Sequence, residues 1–536
     1  MPSSHTSSDT SSHSTDTRLS GHKPLTDRAV YQTPFYYQFL ISVLKPLYRL
    51  QVWRRSHKRD NYQQEVAQRF GKQYPPRPAT TGHSNNSNKG VIWCHAVSLG
   101  ETNTVAPLLD ALLANGYQIW LTNTTQTGFA RGASRFADEI AQNRMSHSYV
   151  PVDSPAVIET FLTHVQPIAA LFVETELWAN ILTKLAEHQI PSILVNGRLS
   201  AASFKSYQKI GAVSTSMMKN LALIIAQDSD SAKRFRQLGA DSAQIRVAGS
   251  LKWVINKPKI DVEAINSDNL AVDAKDSGVQ ILTKQNVLAK KNELAKAFAI
   301  ADRPVWIAAS THNGEEETAL SLHQQILSHS SLANTLLIIV PRHPERFDEV
   351  AALIQKTGLI MARRSLDEGI NADTQVYLAD SMGEMMTWYT LANVALVGGS
   401  LVDIGGHNPV EPASVATPVI MGRYTQSCQS VVDKLAEVGA LYQPNNKFYR
   451  PIMINSSNER AKSTVNHQHG TDSADDIALI YQQLEALLID LPLATQAGQA
   501  GETITVQQQA VLTRQFTMIE DVIEQYFAQN LGQEIL

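Results

Sequence analysis

Seven short polar clusters punctuate this chain, and each follows an apolar run. HAVSLGE, VETELW and VNGRLS come first, then ASTHNGEEE, VPRHPERF, ADSMGE and VGGSLVDIGGHNPVEP. They repeatedly combine Gly, His, Arg and Glu, residue types that random surface loops do not keep assembling. The richest is residues 397–412, where two glycine pairs lead to His407, Asn408, Pro409, Val410 and Glu411. Paired glycines, here including Gly399 and Gly406, let backbone approach a ligand closely. Pro409 stands ahead of an expected helix, whose first amides attract phosphate, and a carboxylate about one turn in accepts from sugar hydroxyls. A strand, a glycine loop, a helix start and a polar cluster together suggest a nucleotide-sugar pocket. The competing reading is an ordinary strand-to-helix turn with two flexible glycines.

The elements that must position these clusters follow from the apolar runs. GVIWCHA reads as a buried strand, and TNTVAPLLDALLANG as a helix closed by Gly116. YQIWLTNTT, SHSYVPVD, IAALFVE, PSILVNG and LALIIAQ are further strands, separated by helical text. This series ends at VAGSLKWVI, and a second starts at RPVWIAAS, with strands TLLIIVP, GLIMARR, QVYLAD, NVALVGGS and TPVIMG. Alternation of helices with apolar strands indicates parallel sheets covered on both faces. Two series of similar size predict an α/β protein of two Rossmann-like halves facing across a cleft. Open parallel sheets bind ligands beyond the carboxyl ends of their strands, where all seven clusters sit. No GxGxxG fingerprint follows the first strand, which argues against NAD or FAD.

Bulk properties narrow the class. A chain of 536 residues, 43% hydrophobic and 18% charged, has ample core for two or three domains. A formal net charge of -4 gives no support to a nucleic-acid binder. Cys94 and Cys428, the two cysteines, make no disulfide framework or zinc site and imply a reducing compartment. The Ser/Thr/His-rich first 30 residues, with His5, His13 and His22, lack the apolar surface to fold and read as a disordered tail. Residues 34–53, PFYYQFLISVLKPLYRLQVW, are apolar only as far as Leu44, short of the roughly 20 residues a bilayer span needs. With Arg49, Arg54, Arg55, Lys58 and Arg59 behind it, the segment suits a helix lying in or dipping into an anionic membrane surface. If it spans, the basic flank keeps everything downstream cytoplasmic; packing on the domain as an ordinary helix is the alternative.

Taken together, HAVSLGET, VETELWANIL, VNGRLS, AGSLKW, RPVWIAASTHNGEEE, VPRHPERF, DSMGEMMTWY and VGGSLVDIGGHNPVEP resemble, in order, the motif set of the 3-deoxy-D-manno-octulosonic acid (Kdo) transferases. The likeness covers about residues 34–530. It implies the GT-B glycosyltransferase architecture and inverting transfer of Kdo from CMP-Kdo to a lipid A precursor, at the cytoplasmic face of a Gram-negative inner membrane. It further implies no cofactor and no metal; His95 and His407 come with neither HExxH nor DxD spacing. The domains it implies are a tail (1–33), a membrane-associated helix (34–56), an acceptor half (57–255), an extended segment (256–300), a donor half (301–505) with an insertion at 444–475, and a closing helix (506–536). Segments 257–300 and 444–475 are longer than in typical members, and Trp253 replaces a usual Phe.

The same resemblance distributes roles. Glu101 corresponds to the general base that deprotonates the acceptor hydroxyl. Glu174 and Lys252 correspond to transition-state stabilisers, for an oxocarbenium-like centre and a departing phosphate respectively. CMP contacts fall on Pro341, Arg342, Met382, Gly383, Glu384, Asn408, Pro409, Val410 and Glu411, with Arg342 a fixed cation for phosphate or carboxylate and MGE expected to open a helix. Further candidates are Glu176, Arg198, Ser310, Thr311, His312, Gly399, Ser400, Gly406 and His407. Alternation puts Glu176 on the side of Glu174 if that strand continues; a structural acid paired with an arginine is the other reading, and Arg198 divides similarly between acceptor phosphates and a salt bridge. Rival functions are another GT-B nucleotide-sugar enzyme, such as a UDP-sugar transferase or epimerase, and a catalytically inactive membrane scaffold.

Overall fold

The computed structural model describes residues 29–56, 62–79, 89–254, 284–300, 303–444, 446 and 473–533. His5, His13 and His22, most of the extended segment and nearly all of the 444–475 insertion lie outside the described residues. The chain divides into two compact units, Met1–Ala248 with Gln515–Leu536, and Gly249–Arg514.

The first unit is built on a parallel sheet of β1 (Val91–His95), β2 (Gln118–Asn123), β3 (Met145–Tyr149), β4 (Ala169–Val173), β5 (Ser192–Gly197), β6 (Leu223–Ala226) and β7 (Ile245–Val247). Strand order is β3-β2-β1-β4-β5-β6-β7. Strands β1 to β6 are buried along their whole length, which is why most of them read as apolar runs; β3, Met-Ser-His-Ser-Tyr, is the polar exception. Trp93 and Trp120 close one face against Phe161 of the helix Pro155–Val165, at centroid distances of 4.7 and 5.9 Å. The chain runs outward from β1 to β3 and then returns to place β4 on the other side of β1. The loops after β1 and β4 consequently emerge side by side, with His95 opposite Phe172. That reversal is where open α/β sheets form their sites.

The second unit repeats the plan with β8 (Val305–Thr311), β9 (Leu336–Pro341), β10 (Met361–Arg363), β11 (Val376–Leu378), β12 (Val394–Val397), β13 (Val419–Ile420) and β14 (Leu441–Tyr442), in the order β10-β11-β9-β8-β12-β13-β14. Its reversal falls between β8 and β12, where Ala309 stands opposite Val397. All pairings in both sheets are parallel. Every strand expected from the sequence is present. The edge strands β7 and β14 were not expected: Arg246 interrupts the apolar text of β7, and Gln443 and Pro444 follow directly on the two residues of β14.

Helix Phe35–Ser56 runs straight through Lys45 and Pro46, where the apolar text breaks. Its inner side is fastened by Tyr37, whose hydroxyl donates to Asp153 Oδ2 at 2.8 Å, and by the buried Val52. Its outer side leaves Phe35, Phe39, Leu40, Val43, Leu47 and Leu50 exposed. Among the described residues no single helix is long and apolar enough to cross a membrane. The closing helix, expected from residue 506, begins at Ala510, because residues 506–508 finish the preceding helix Leu491–Gln508.

Candidate active site

In the first unit, β1 leads into Ser98, the N-cap of helix Leu99–Ala114. Glu101 stands three residues on, the spacing of a reciprocal cap. Its N–H donates to Ser98 Oγ at 3.4 Å, while its carboxylate accepts from Ser98 Oγ at 3.2 Å and Val97 N–H at 2.8 Å. These bonds turn the carboxylate back toward the end of β1. Burial pushes the Glu101 carboxyl up to about 7; the Val97 bond opposes this, and the charges of Glu174 and Glu176 add to it.

Glu174 follows β4 immediately and takes a left-handed backbone, with φ of 60°. Strand β4 ends at Val173 and the chain turns at Glu174, so alternation does not place Glu176. A turn does: Tyr207 OH donates to Thr175 O at 2.8 Å, and both acids remain close enough to act on Glu101. Burial raises the Glu176 carboxyl as well. The sequence reading missed Asp153, whose buried carboxylate accepts from Tyr37 OH and from Asn180 and Ile181 N–H at 3.2 and 2.8 Å. It thereby seats the helix Ala179–Glu187 that follows the acidic turn; an Asp closing the SHSYVPVD stretch was the available signal. Arg198, half-buried, directly follows β5 on the same sheet edge.

In the second unit the most connected residue is one the sequence reading did not single out. Glu315, 1% exposed, opens the helix Glu315–Ser328 and accepts four backbone amides: His312 at 2.9 Å, Gly399 at 2.7 Å, Ser400 at 3.1 Å and Leu401 at 2.9 Å. The amides of the glycine loop are therefore taken by a carboxylate of the protein itself. Ser400 Oγ is likewise internal, donating to Val397 O at 2.5 Å and accepting from Gly422 N–H at 2.9 Å. Gly398 is required by close approach, since a Cβ there would lie 2.5 Å from Ser310 O. Ser310 sits at a bulge in β8 with φ of 56°, Thr311 Oγ1 donates to Glu316, and Gly406 N–H donates to Gly399 O.

The folded loop presents His407, whose Nε2 lies 2.8 Å from His312 Nε2. Arg342 follows Pro341, the last residue of β9, and its N–H donates to Thr311 O at 3.0 Å. Its half-buried guanidinium has no hydrogen-bond or ion-pair partner among the described residues. Burial raises the Glu411 carboxyl, and the Arg342 charge opposes the rise. Asn408 Oδ1 accepts from Val410 N–H at 3.2 Å, and its Nδ2 donates to Lys252 O at 3.5 Å. The helix after Pro409 is only Val410–Ser414, and Asn408 already occupies one of its first amides; the expected amide cradle for phosphate is correspondingly reduced. Lys252 belongs to this unit, not to the first, and its Nζ donates to Ser427 O at 2.5 Å.

The MGE turn is built differently from the expectation. The helix starts at Met385, after Glu384 rather than within MGE. Met382 is 69% exposed, and Gly383 has φ of 89°. Glu384 is gripped by Arg364 at 2.9 and 3.0 Å and by Ser381 Oγ. Burial alone would raise its carboxyl, but these bonds outweigh it and hold the group below its usual range. Among the described residues no three His, Cys, Asp or Glu side chains are gathered as metal ligands.

Two doubly wound parallel sheets, with Glu101 and Glu174 beside the reversal of strand order in the first and His312 and His407 beside that in the second, give the chain the GT-B architecture. A family model described as 3-deoxy-D-manno-octulosonic-acid transferase (kdotransferase) matches residues 64–255. The chain is 36% identical to a 3-deoxy-D-manno-octulosonic acid transferase of Haemophilus influenzae over 413 residues, 77% of this chain and 87% of the relative. It is 32% identical to the Bordetella pertussis transferase of the same description over 414 residues, covering 76% and 88%. Among solved structures it is similar to the C-terminal CMP-Kdo binding domain of WaaA from Acinetobacter baumannii, with 30% identity, TM-score 0.31, and coverage of 42% of this chain and 98% of that one. The chain belongs to the Kdo transferase family.

Proposed function

We propose that this chain is an inverting glycosyltransferase moving Kdo from CMP-Kdo to a lipid A precursor in lipopolysaccharide core synthesis. The observation that carries the reading is Glu101, a carboxyl raised to about 7 beside Glu174 and Glu176, in a chain of this family. A base works best when its pKa lies near the operating pH. In the proposed step Glu101 takes the proton of the acceptor hydroxyl as that oxygen bonds to the anomeric carbon of Kdo. The bond from that carbon to the phosphate oxygen breaks, and its electrons leave with CMP. Glu174 supports the developing positive charge on the sugar, with Glu176 as a second acid. Arg342 and Lys252 answer the donor's negative charge, with Asn408 and Glu411 beside them. No metal is assigned a step, because side chains of both signs are available for the proton and for the phosphate.

The acceptor is a lipid, and the exposed apolar side of helix Phe35–Ser56 gives the protein a means of staying at its surface. We assign it to the cytoplasmic face of the inner membrane, where the helix lies in the interface. The test is incubation with CMP-Kdo and a tetraacylated lipid A precursor, followed by mass spectrometry of the lipid. The expected product carries one or more added Kdo residues. An unmodified lipid, in a preparation that binds CMP-Kdo, would reject the acceptor assignment.

A further inference from the structure

Two imidazoles of the second unit meet nitrogen to nitrogen. His312 Nε2 and His407 Nε2 are 2.8 Å apart, with ring planes parallel to within 4°. At that separation one ring must hold the proton that the other accepts. The neutral donor ring is then left with a bare Nδ1, and the accepting ring carries its N–H on Nδ1. A neutral pair therefore offers its surroundings one N–H and one lone pair. A single added proton converts the lone pair into a second N–H.

The surroundings favour an anion. Arg342 stands close by with a guanidinium that has no partner among the described residues, and the His343 ring lies 5.2 Å from that of His312. The carboxylates are engaged otherwise. Glu315 is taken by four amides, Glu316 by Arg346 at 2.7 Å, and Glu411 feels the charge of Arg342. Burial, then the Arg342 charge, hold the His407 ring down to about 4. Burial also holds His312 below its usual value, with Glu315 opposing and His343, Arg342 and Arg346 reinforcing. Without a ligand the pair is thus neutral at physiological pH. A bound anion reverses the electrostatic balance.

We propose that the His312–His407 pair is a proton-linked anion subsite: when a donor bearing both a phosphodiester and a carboxylate binds, the pair takes up one proton and presents two N–H groups. This rests on the donor reading given above. Neither anionic group of such a donor titrates between about pH 6 and 8, so a proton taken up in that range comes to the protein.

Isothermal titration calorimetry of the full chain with CMP-Kdo, without acceptor, tests it. Runs between pH 6 and 8 in buffers of different ionisation enthalpy count the protons exchanged. Uptake is expected to approach one proton per site toward pH 6, with affinity rising by up to about tenfold per pH unit of acidification. His407→Gln and His312→Gln, checked for an intact melting transition, are expected to bind CMP-Kdo more weakly and with that pH slope flattened. Binding by the unsubstituted protein with no proton uptake would overturn the subsite while leaving the donor reading intact. Uptake that persists undiminished in both variants would also overturn it, and would point to Glu411 or His343. No binding at any pH would reject the donor reading, and the subsite with it.

Discussion

At the scale of single residues, Glu101 holds two duties at once. It caps its own helix through Ser98 and Val97, and its carboxyl is raised to about 7 by burial and two neighbouring acids. Only the ionised form takes a proton, so kcat/KM for the lipid acceptor should climb with pH and level off above about 7. Because like charges raise an acid, Glu176→Gln should move this limb to lower pH, which a pH–rate profile reads directly. Glu101→Gln keeps the size and one acceptor oxygen of the cap but not the base. Turnover should fall by roughly 10²–10⁴-fold with CMP-Kdo binding retained, and near-normal turnover would sink the assignment. Glu315 makes a different prediction. Glu315→Gln aims an amide NH₂ at N–H groups that had met a carboxylate, and each charge-assisted bond is worth about 1.5–3 kcal/mol. Denaturant unfolding should show a loss of roughly 2–4 kcal/mol in the second unit; an unchanged midpoint would mean the loop holds itself.

At the scale of elements, helix Phe35–Ser56 has two sides with separate tasks. The inner side is tied through Tyr37 and Asp153 to the start of helix Ala179–Glu187, just after the acidic turn. The outer side is apolar and exposed, and burying a Phe or Leu side chain is worth about 1.5–3 kcal/mol. Replacing Phe39 and Leu47 by Asp should weaken cosedimentation with anionic vesicles at least about tenfold, while leaving the melting temperature unchanged because both side chains already face solvent. Unaltered vesicle binding would remove this helix from the membrane assignment. Long strands and the polar loops behind them were legible, since five or six continuous apolar residues leave little else for a chain to do. Strands β7 and β14 were not. The helix expected over residues 34–56 is present as Phe35–Ser56, continuous through Pro46, with contacts at Tyr37 and Val52 on either side of the break.

At the scale of the whole molecule, each unit has its own sheet and core, yet the first is not one continuous stretch of chain. Residues after Arg514 return to it. Gln515 Oε1 accepts from Asn196 N–H in β5 at 3.2 Å, Lys89 and Tyr117 donate to Glu520, and Ile519, Val522 and Ile523 are buried. Truncation after Arg514 should therefore lower the melting of the first unit by roughly 10 °C or more, and leave that of the second nearly in place. Calorimetry checks this; two unshifted transitions would show the C-terminal segment to be dispensable.

By itself the sequence determined the α/β alternation, the polar clusters at strand ends and the likeness to Kdo transferases. All three are local, because a buried parallel strand announces itself within its own few residues and a motif is read where it stands. Tertiary structure alone decided how those clusters combine. It gave the amides of Gly399, Ser400 and Leu401 to a carboxylate 84 to 86 residues away, set His312 against His407, and drew Lys252 to Ser427 and Asn408. It also brought Glu176 toward Glu101 through a turn at Glu174 rather than along a strand. The physical reason is strand order. Which loops emerge side by side depends on where the sheet reverses, and that depends on every strand at once.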